Sequence, residues 1–352
     1  MKYLILAEGF SADPHYGKTM RGVLRYRRDD VVAILDSRRA SEDTEEGVPV
    51  VRSLEEAMRF DPDTALVGVA TQGGRFPREW IELLRQCVER GLDVENGLHV
   101  FLGDDPELRG LAARHGGELR DLRRPPADLS TATGANLEVP GTIVLTVGSD
   151  CAIGKMTVSL ELDLEARRRG LASLFVPTGQ TGMAIAGWGI AVDAVVADFI
   201  AGAAERLVAE GARRGGELLW VEGQGSLLHP VYSGVTLGLY HGSVPHLLVL
   251  CHEAGRDEIE GAGGGPHPIP PLRDLVDLHE RLALPARPAR VAAVALNTRL
   301  LGEGEARTAI AAAEEETGLP ADDPVRFGAG KLVDAVLAAR RRSSAPASRI
   351  DA

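Results

Sequence analysis

A lysine preceded by two spaced glycines offers the clearest chemistry in the sequence. Gly148 and Gly154 enclose five residues, and Lys155 follows directly. Glycines at such positions let successive backbone N–H groups turn toward one anion, and the lysine adds a positive charge. An apolar strand pattern precedes the loop and an apolar-periodic helix follows it, which is the context that a phosphate-binding loop requires. The residues predicted to bind phosphate are Gly148, Ser149, Asp150, Cys151, Ala152, Ile153, Gly154, Lys155, Met156 and Thr157.

Two details of this loop differ from the usual phosphate-binding pattern. One extra residue lies between the glycines, and Met156 occupies the position where a serine or threonine hydroxyl normally contacts Mg²⁺. Thr157 could reach a metal only through a water, so we predict no metal site. The alternative interpretation is a tight turn from strand to helix that binds no ligand.

Further polar side chains follow other predicted strands, where the carboxyl ends of a parallel sheet place ligand contacts. Thr178, Gly179, Gln180 and Thr181 follow one apolar run, and Glu222 follows the next. A carboxylate at such a strand end can hold Mg²⁺ or accept a proton, and it can equally cap a neighbouring helix. Both roles stay open for Glu222.

The composition is that of a globular protein without an affinity for polyanions. The 352 residues are 44% apolar and 26% charged, with 39 basic and 51 acidic residues and a net charge of −12. This balance argues against nucleic acid and anionic membranes as partners. The three cysteines are odd in number and widely spaced, which argues against a disulfide framework and favours the cytoplasm.

Strand and helix patterns alternate along the whole chain, which predicts an α/β fold with parallel sheets. We expect a Rossmann-like parallel-sheet domain over residues 1–125 and a P-loop NTPase-like α/β domain over 126–342. Pro125 and Pro126 mark the boundary because they interrupt regular structure. Residues 184–204 predict a buried helix, and the polar tail, 343–352, is expected to be disordered.

The chain resembles a two-domain family long catalogued as a domain of unknown function, with an N-terminal Rossmann-like and a C-terminal P-loop domain. The resemblance rests on the loop 148–157, the block 177–199, the strand end 221–226 and the loop 267–272, and on residues 73–77 and 96–99 nearer the N-terminus. It therefore covers nearly the whole chain. Members with an assigned activity resemble D-glutamate N-acetyltransferase. More distantly, the P-loop half resembles the dethiobiotin synthetase group.

The resemblance implies an enzyme that moves an acetyl group from acetyl-CoA to the amine of D-glutamate or a related D-amino acid. The loop would hold the phosphates of CoA, and Glu222 is the first candidate for the base, with Asp193, Asp198 and His229 as alternatives. Residues 178–181 and Arg75 would contact the substrate, and a homo-oligomer is expected. Cys151 could instead carry the acetyl group, although its place in the loop favours a side chain turned toward the core.

Two rival functions remain open at this stage. One is an ATP- and Mg²⁺-dependent kinase or ligase of the dethiobiotin synthetase type, against which Met156 argues. The other is a regulatory protein that senses a nucleotide or CoA without catalysis. Turnover of an amine substrate distinguishes the enzyme from the sensor, and a requirement for Mg²⁺ and ATP distinguishes the two enzymes.

Overall fold

The computed structural model describes residues 1–13, 16–39, 43–69, 78–261, 263 and 265–344. By their contacts the residues form two compact units. The first unit comprises Met1–Pro126 and Gly179–Ala194, and the second comprises Ala127–Thr178 and Val195–Ala352. The chain thus passes from one unit to the other three times, whereas the sequence analysis places a single boundary after residue 125.

A seven-stranded sheet forms the centre of the first unit. Its strands are β1 (Tyr3–Leu6), β2 (Val31–Leu35), β3 (Thr44–Glu45), β4 (Val48–Val51), β5 (Thr64–Val67), β6 (Asp93–Asn96) and β7 (Leu119–Asp121). The order is β3-β4-β2-β1-β5-β6-β7, and every pairing is parallel except the short β3–β4 pair. Its helices are α1 (Lys18–Tyr26), α2 (Leu54–Met58), α3 (Arg78–Glu89), α4 (Pro106–His115) and α6 (Gln180–Ala186).

The core of the first unit is built on both faces of its central strand, β1. All four residues of β1 are buried, because helices cover both faces of a parallel sheet. Leu4 and Leu6 pack into one apolar cluster, while Tyr3 and Ile5 pack into another that also contains Ala184 of α6. Helix α6 therefore belongs to the core of the first unit, although it follows the P-loop domain's first strands in sequence.

The second unit contains a six-stranded, wholly parallel sheet in the order β13-β12-β11-β8-β10-β9. Its strands are β8 (Thr142–Gly148), β9 (Ser173–Val176), β10 (Leu218–Val221), β11 (Leu247–Glu253), β12 (Arg290–Asn297) and β13 (Ala321–Asp322). Its helices are α5 (Lys155–Arg168), α7 (Ile200–Arg213), α8 (Ser233–Ser243), α9 (Leu272–Arg281), α10 (Glu303–Thr317) and α11 (Gly330–Ser344). Every residue of β8 is buried, so the loop that follows it starts from the middle of the sheet.

The predicted α/β fold is confirmed, with a Rossmann-like first sheet and a P-loop second sheet. The prediction of one buried helix over residues 184–204 is wrong. Helix α6 ends at Ala186 because Gly187 adopts a left-handed conformation (φ +74°), and the next α-helix begins only at Ile200. Of the tail expected to be disordered, residues 345–352 lie outside the described part of the chain.

No helix in the described part of the chain is long and apolar enough to cross a membrane.

Candidate active site

The loop between β8 and α5 has the conformation that its glycines predict. A side chain at Gly148 would place its Cβ 2.6 Å from Ile153 Cδ1 and 3.2 Å from the carbonyl oxygen of Cys251, so any larger residue there would displace the Ile153 side chain. Gly154 has a φ of +106°, which residues with a side chain rarely adopt. Ala152 is also left-handed, with a φ of +54°. The loop is therefore tightly curved at both ends.

This curvature leaves a run of backbone donors without protein partners. Within the described residues, no hydrogen bond is formed by the N–H groups of residues 152–157, and the first helical bond of this turn comes from Val158 to the oxygen of Gly154 (2.9 Å). The positive end of the dipole of α5 lies at the same place. Donors of this kind bind either water or an anion.

Lys155 brings a buried positive charge to these donors. Its Nζ donates to the backbone oxygen of Asp150 at 2.7 Å, and no carboxylate of the described residues lies within ion-pair distance of it. Burial lowers the pKa of the Lys155 ammonium, while nearby acidic groups, among them Cys151 and Glu222, oppose this shift. Because buried charges are normally paired, the lysine is suited to an anionic ligand.

The carboxylate of Asp150 has its own cation. It is fully buried and accepts hydrogen bonds from Arg256 Nη1 (3.0 Å), from the N–H of Glu260 (2.9 Å) and from the N–H of Cys151 (2.6 Å). Arg256 Nη1 also donates to the carbonyl oxygen of Cys151 at 3.2 Å. Burial alone would lower the pKa of Arg256, but its bonds to Asp150 and Glu253 outweigh burial and raise it. Arg256, which the sequence analysis did not single out, therefore holds the loop in place.

Glu222 follows β10, the strand beside β8. Its side chain is 4% exposed, and its Oε2 accepts a hydrogen bond from the N–H of Thr178 at 2.9 Å. Thr178 Oγ1 donates to the backbone oxygen of Glu222 at 2.6 Å. The next residue must be glycine, because a Cβ at Gly223 would lie 1.8 Å from the oxygen of Thr146. Glu222 and Thr178, two predicted site residues, are thus in direct contact.

His229 lies close to the loop but is fully engaged. The N–H of Val231 donates to its Nδ1 (3.2 Å), so its Nε2 carries the proton and donates to the oxygen of Glu260 (3.2 Å). His229, Asp150 and the half-buried Cys151 offer potential metal ligands within 4.8 Å of one another. A neutral imidazole with both nitrogens occupied has no lone pair for a metal. The arrangement therefore does not fit a metal ion unless these bonds break.

Two of the remaining predicted site residues meet at one arginine of the first unit. Within the first unit, Arg123 is 8% exposed and donates to the oxygen of Gly97 (2.8 Å), to Gln180 Oε1 (2.9 Å) and to Asp193. Thr181 Oγ1 bonds to Thr19 Oγ1 at 2.9 Å. Gln180 and Asp193 thus share one arginine that the sequence analysis did not single out.

The charges of Arg123 and Asp193 also act on His99. Burial lowers the pKa of His99, the charge of Arg123 lowers it further, and Asp193 acts in the opposite direction.

Asp198, a candidate base, lies in a short exposed turn of the second unit. Gly179 directly precedes α6, and Arg75 lies outside the described residues.

A glycine–lysine loop between the central strand of a parallel sheet and its helix defines the second unit as a P-loop domain. Comparison with known families places the chain more narrowly. Residues 130–333 match the P-loop domain of DUF1611, described as a domain of unknown function, and residues 36–125 match its N-terminal Rossmann-like domain. The chain belongs to the DUF1611 family, and the family resemblance inferred from the sequence is confirmed.

Individual relatives agree with this assignment. The chain is similar to a D-glutamate N-acetyltransferase of Tritonibacter scottomollicae, with 42% identity over 81% of this chain and 84% of that protein. It is also similar to a D-glutamate N-acetyltransferase of Pseudoalteromonas sp., with 34% identity over 80% and 83% of the two chains. A crystal structure of a DUF1611 family protein from Anabaena variabilis covers 96% of this chain and 99% of its own, with 42% identity and a TM-score of 0.87. These relatives confirm that the chain is an acyltransferase enzyme.

Proposed function

We propose that the protein transfers an acetyl group from acetyl-CoA to the amine of D-glutamate, with the CoA phosphates bound by residues 148–157. The name shared by two relatives supports the reaction. The observation that carries the proposal for CoA is the buried, carboxylate-free ammonium of Lys155 beside the N–H groups of residues 152–157. CoA carries a pyrophosphate and a 3′-phosphate, and both are anions of the kind that such a loop binds.

Acetyl transfer requires the acceptor amine to be neutral. The amine nitrogen forms a bond to the thioester carbonyl carbon, the C–S bond breaks and CoA leaves as the thiol, while the acceptor ammonium has given up a proton. We propose Glu222 as the group that takes this proton. Glu222 follows β10, which pairs with β8, the strand that leads into the loop. The hydrogen bond that its carboxylate accepts from the N–H of Thr178 holds the side chain there.

The other candidate bases have less suitable surroundings. Asp193 is already ion-paired with Arg123, and both ring nitrogens of His229 are occupied. Asp198 is exposed in a short turn. We therefore assign the base to Glu222, and we propose that Arg75 and residues 178–181 bind the acceptor's carboxylates.

Release of free thiol from acetyl-CoA tests the proposal directly. Purified protein is incubated with D-glutamate, L-glutamate or other D-amino acids, with Mg²⁺ or with EDTA. Thiol release that requires D-glutamate and survives EDTA is expected, because acyl transfer needs no metal. ATP hydrolysis that requires Mg²⁺, with no thiol release for any amine, would overturn the proposal in favour of a kinase or ligase.

A variant of the loop lysine tests whether the loop binds CoA. Lys155→Ala removes the positive charge that the loop itself provides, so CoA binding should weaken by about 2–3 kcal/mol, or roughly 30- to 150-fold. The measurement is a calorimetric titration with CoA. Binding unchanged in Lys155→Ala would show that the phosphates lie elsewhere.

A further inference from the structure

A cleft of about 570 Å³ lies within the first unit, and none of the proposed acetyl-transfer residues lines it. Its volume falls within the range of small-molecule sites. One end of the cleft is polar and presents Tyr3, Arg27 and Glu95, while its walls include Met183, Ile185 and Trp188 from α6 and the residues after it. The cleft therefore combines an apolar surface with a few convergent polar groups, which is the character of a ligand site.

The side chains at the polar end form a network in which most hydrogen-bonding groups have a partner within the protein. Tyr3 is 1% exposed, and its hydroxyl donates to Glu95 Oε2 at 3.1 Å. Arg120 donates to Glu95 Oε1 at 3.2 Å. Arg27 Nη1 donates to the Tyr3 hydroxyl (3.1 Å) and to the oxygen of Ala184 (3.0 Å). Glu95 is thus held rigidly at the floor, with lone pairs that can accept one further donor on each oxygen.

One donor group of this network has no partner in the described part of the chain. Arg27 Nε bonds to Asp30 at 2.7 Å and Nη1 makes the two bonds above, but Nη2 makes none. The Arg27 side chain is 19% exposed. A guanidinium edge in this state is suited to a carboxylate, and the neighbouring carboxylate of Glu95 is suited to an ammonium.

We propose that this cleft binds an amino acid with a large apolar side chain, whose carboxylate pairs with Arg27 and whose ammonium pairs with Glu95. The side chain would pack against Met183, Ile185 and Trp188. The apolar walls disfavour glutamate, because a second carboxylate would lose its water there, and Arg120, the other cationic side chain of the lining, already pairs with three carboxylates. The site is thus distinct in its ligand class from the proposed acetyl acceptor.

Trp188 provides the readout. The other two tryptophans, Trp80 and Trp220, are almost fully buried, so a ligand in the cleft should change the fluorescence of Trp188 alone. Both enantiomers of phenylalanine serve as probes, and 2-phenylethylamine and 3-phenylpropionate each lack one of the two charged groups. We expect saturable quenching or enhancement with phenylalanine, loss of the signal in Trp188→Phe, and binding at least about tenfold weaker for the two singly charged compounds.

Three variants test the assignment. Arg27→Met should weaken phenylalanine binding at least about tenfold, because it removes the carboxylate partner. Arg25→Met, in the same helix but exposed and outside the cleft, is the matched control and should bind as the unmodified protein does. Ala186→Phe, at another lining position, fills the cleft without changing its polar end or adding a tryptophan, and it should abolish binding.

The outcomes separate this site from the proposed function. Absence of any response to phenylalanine in the unmodified protein, or a response that persists in both Arg27→Met and Ala186→Phe, would overturn the proposal. Equal affinity for phenylalanine and 2-phenylethylamine would also overturn it. None of these results depends on acetyl-CoA, so failure of the acetyltransferase assay leaves the result for the cleft unchanged.

Discussion

Replacement of Arg256 by methionine tests how the phosphate loop keeps its shape. The Arg256 side chain is 12% exposed and donates two hydrogen bonds to the loop, one to the carboxylate of Asp150 and one to the carbonyl oxygen of Cys151. Methionine retains much of the apolar stem but neither hydrogen bonds nor charge. The variant leaves a fully buried carboxylate beside the place where we propose that phosphates bind.

The size of the effect follows from these two contacts. A hydrogen bond to a charged group contributes about 1.5–3 kcal/mol, and breaking a buried ion pair by removing one partner costs about 3–5 kcal/mol. Glu253 and Glu260, the other partners of Arg256, do not belong to the loop. If the loop bears about 3 kcal/mol of the loss, CoA should bind roughly 150-fold more weakly.

Calorimetric titration with CoA, supported by thermal unfolding followed by circular dichroism, measures the effect. Arg299→Met is the matched control, because Arg299 pairs with the same Glu253 (3.1 Å) but is 59% exposed. The control should change affinity by less than about threefold, as expected for an exposed ion pair.

A double variant identifies the cause as charge. Adding Asp150→Asn to Arg256→Met removes the unpaired carboxylate while an amide oxygen can still accept from Cys151, so affinity should recover at least about tenfold. If Arg299→Met weakens binding as much as Arg256→Met, or if the double variant recovers nothing, the explanation is refuted.

Three further variants address the base, the strand end and the pH dependence of stability. Glu222→Gln should leave CoA affinity unchanged and lower kcat by about 10²–10⁴, as steady-state kinetics would show; full activity would exclude Glu222 as the base. Gly223→Ala places a Cβ 1.8 Å from the oxygen of Thr146 and should lower the unfolding temperature markedly, whereas the exposed Gly234, with open space around it, should tolerate alanine. Burial lowers the pKa of His279 from 6.5 to about 4 in the folded protein. The unfolded chain therefore binds a proton at a higher pH than the folded protein does. The full stability is present above pH 6.5 and declines as the pH falls toward 4. By linkage the loss is about 2 kcal/mol at pH 5, and His279→Leu should flatten the decline in denaturant-measured stability between pH 6.5 and 5; an unchanged decline would contradict it.

The conformation of the P-loop was predictable because the residues that determine it are adjacent in the sequence. Its glycines, its lysine and the strand and helix that flank it are contiguous, and the predicted helix after the loop is present as α5. The strand-end position of Glu222 was equally accessible, since an apolar run followed by a single carboxylate indicates the carboxyl edge of a sheet. Arg256 could have been found by the same rule, because it lies three residues beyond the end of β11.

The contacts of Arg123 could not be predicted in this way. It lies between Leu122 and a run containing two prolines, a composition typical of a linker, and its partners Gln180 and Asp193 are 57 and 70 residues away. Nothing in the sequence between residues 179 and 194 indicates that they pack with the first unit rather than the second. Such long-range pairing depends on complementary surfaces, which single-sequence patterns do not encode.

A buried acid is unfavourable in a loop that we propose to bind an anion, and the charges around Asp150 explain how the acid is neutralised. Lys155 donates to the backbone oxygen of Asp150, whereas the carboxylate of Asp150 is bonded to Arg256 and to the N–H of Glu260. The acid is therefore neutralised from outside the loop. Without Arg256, the positive charge of Lys155, which Asp150 already influences, would be available to compensate the acid instead of the ligand. If the loop binds phosphate as we propose, its affinity for the anion depends on a cation that is not part of its sequence motif.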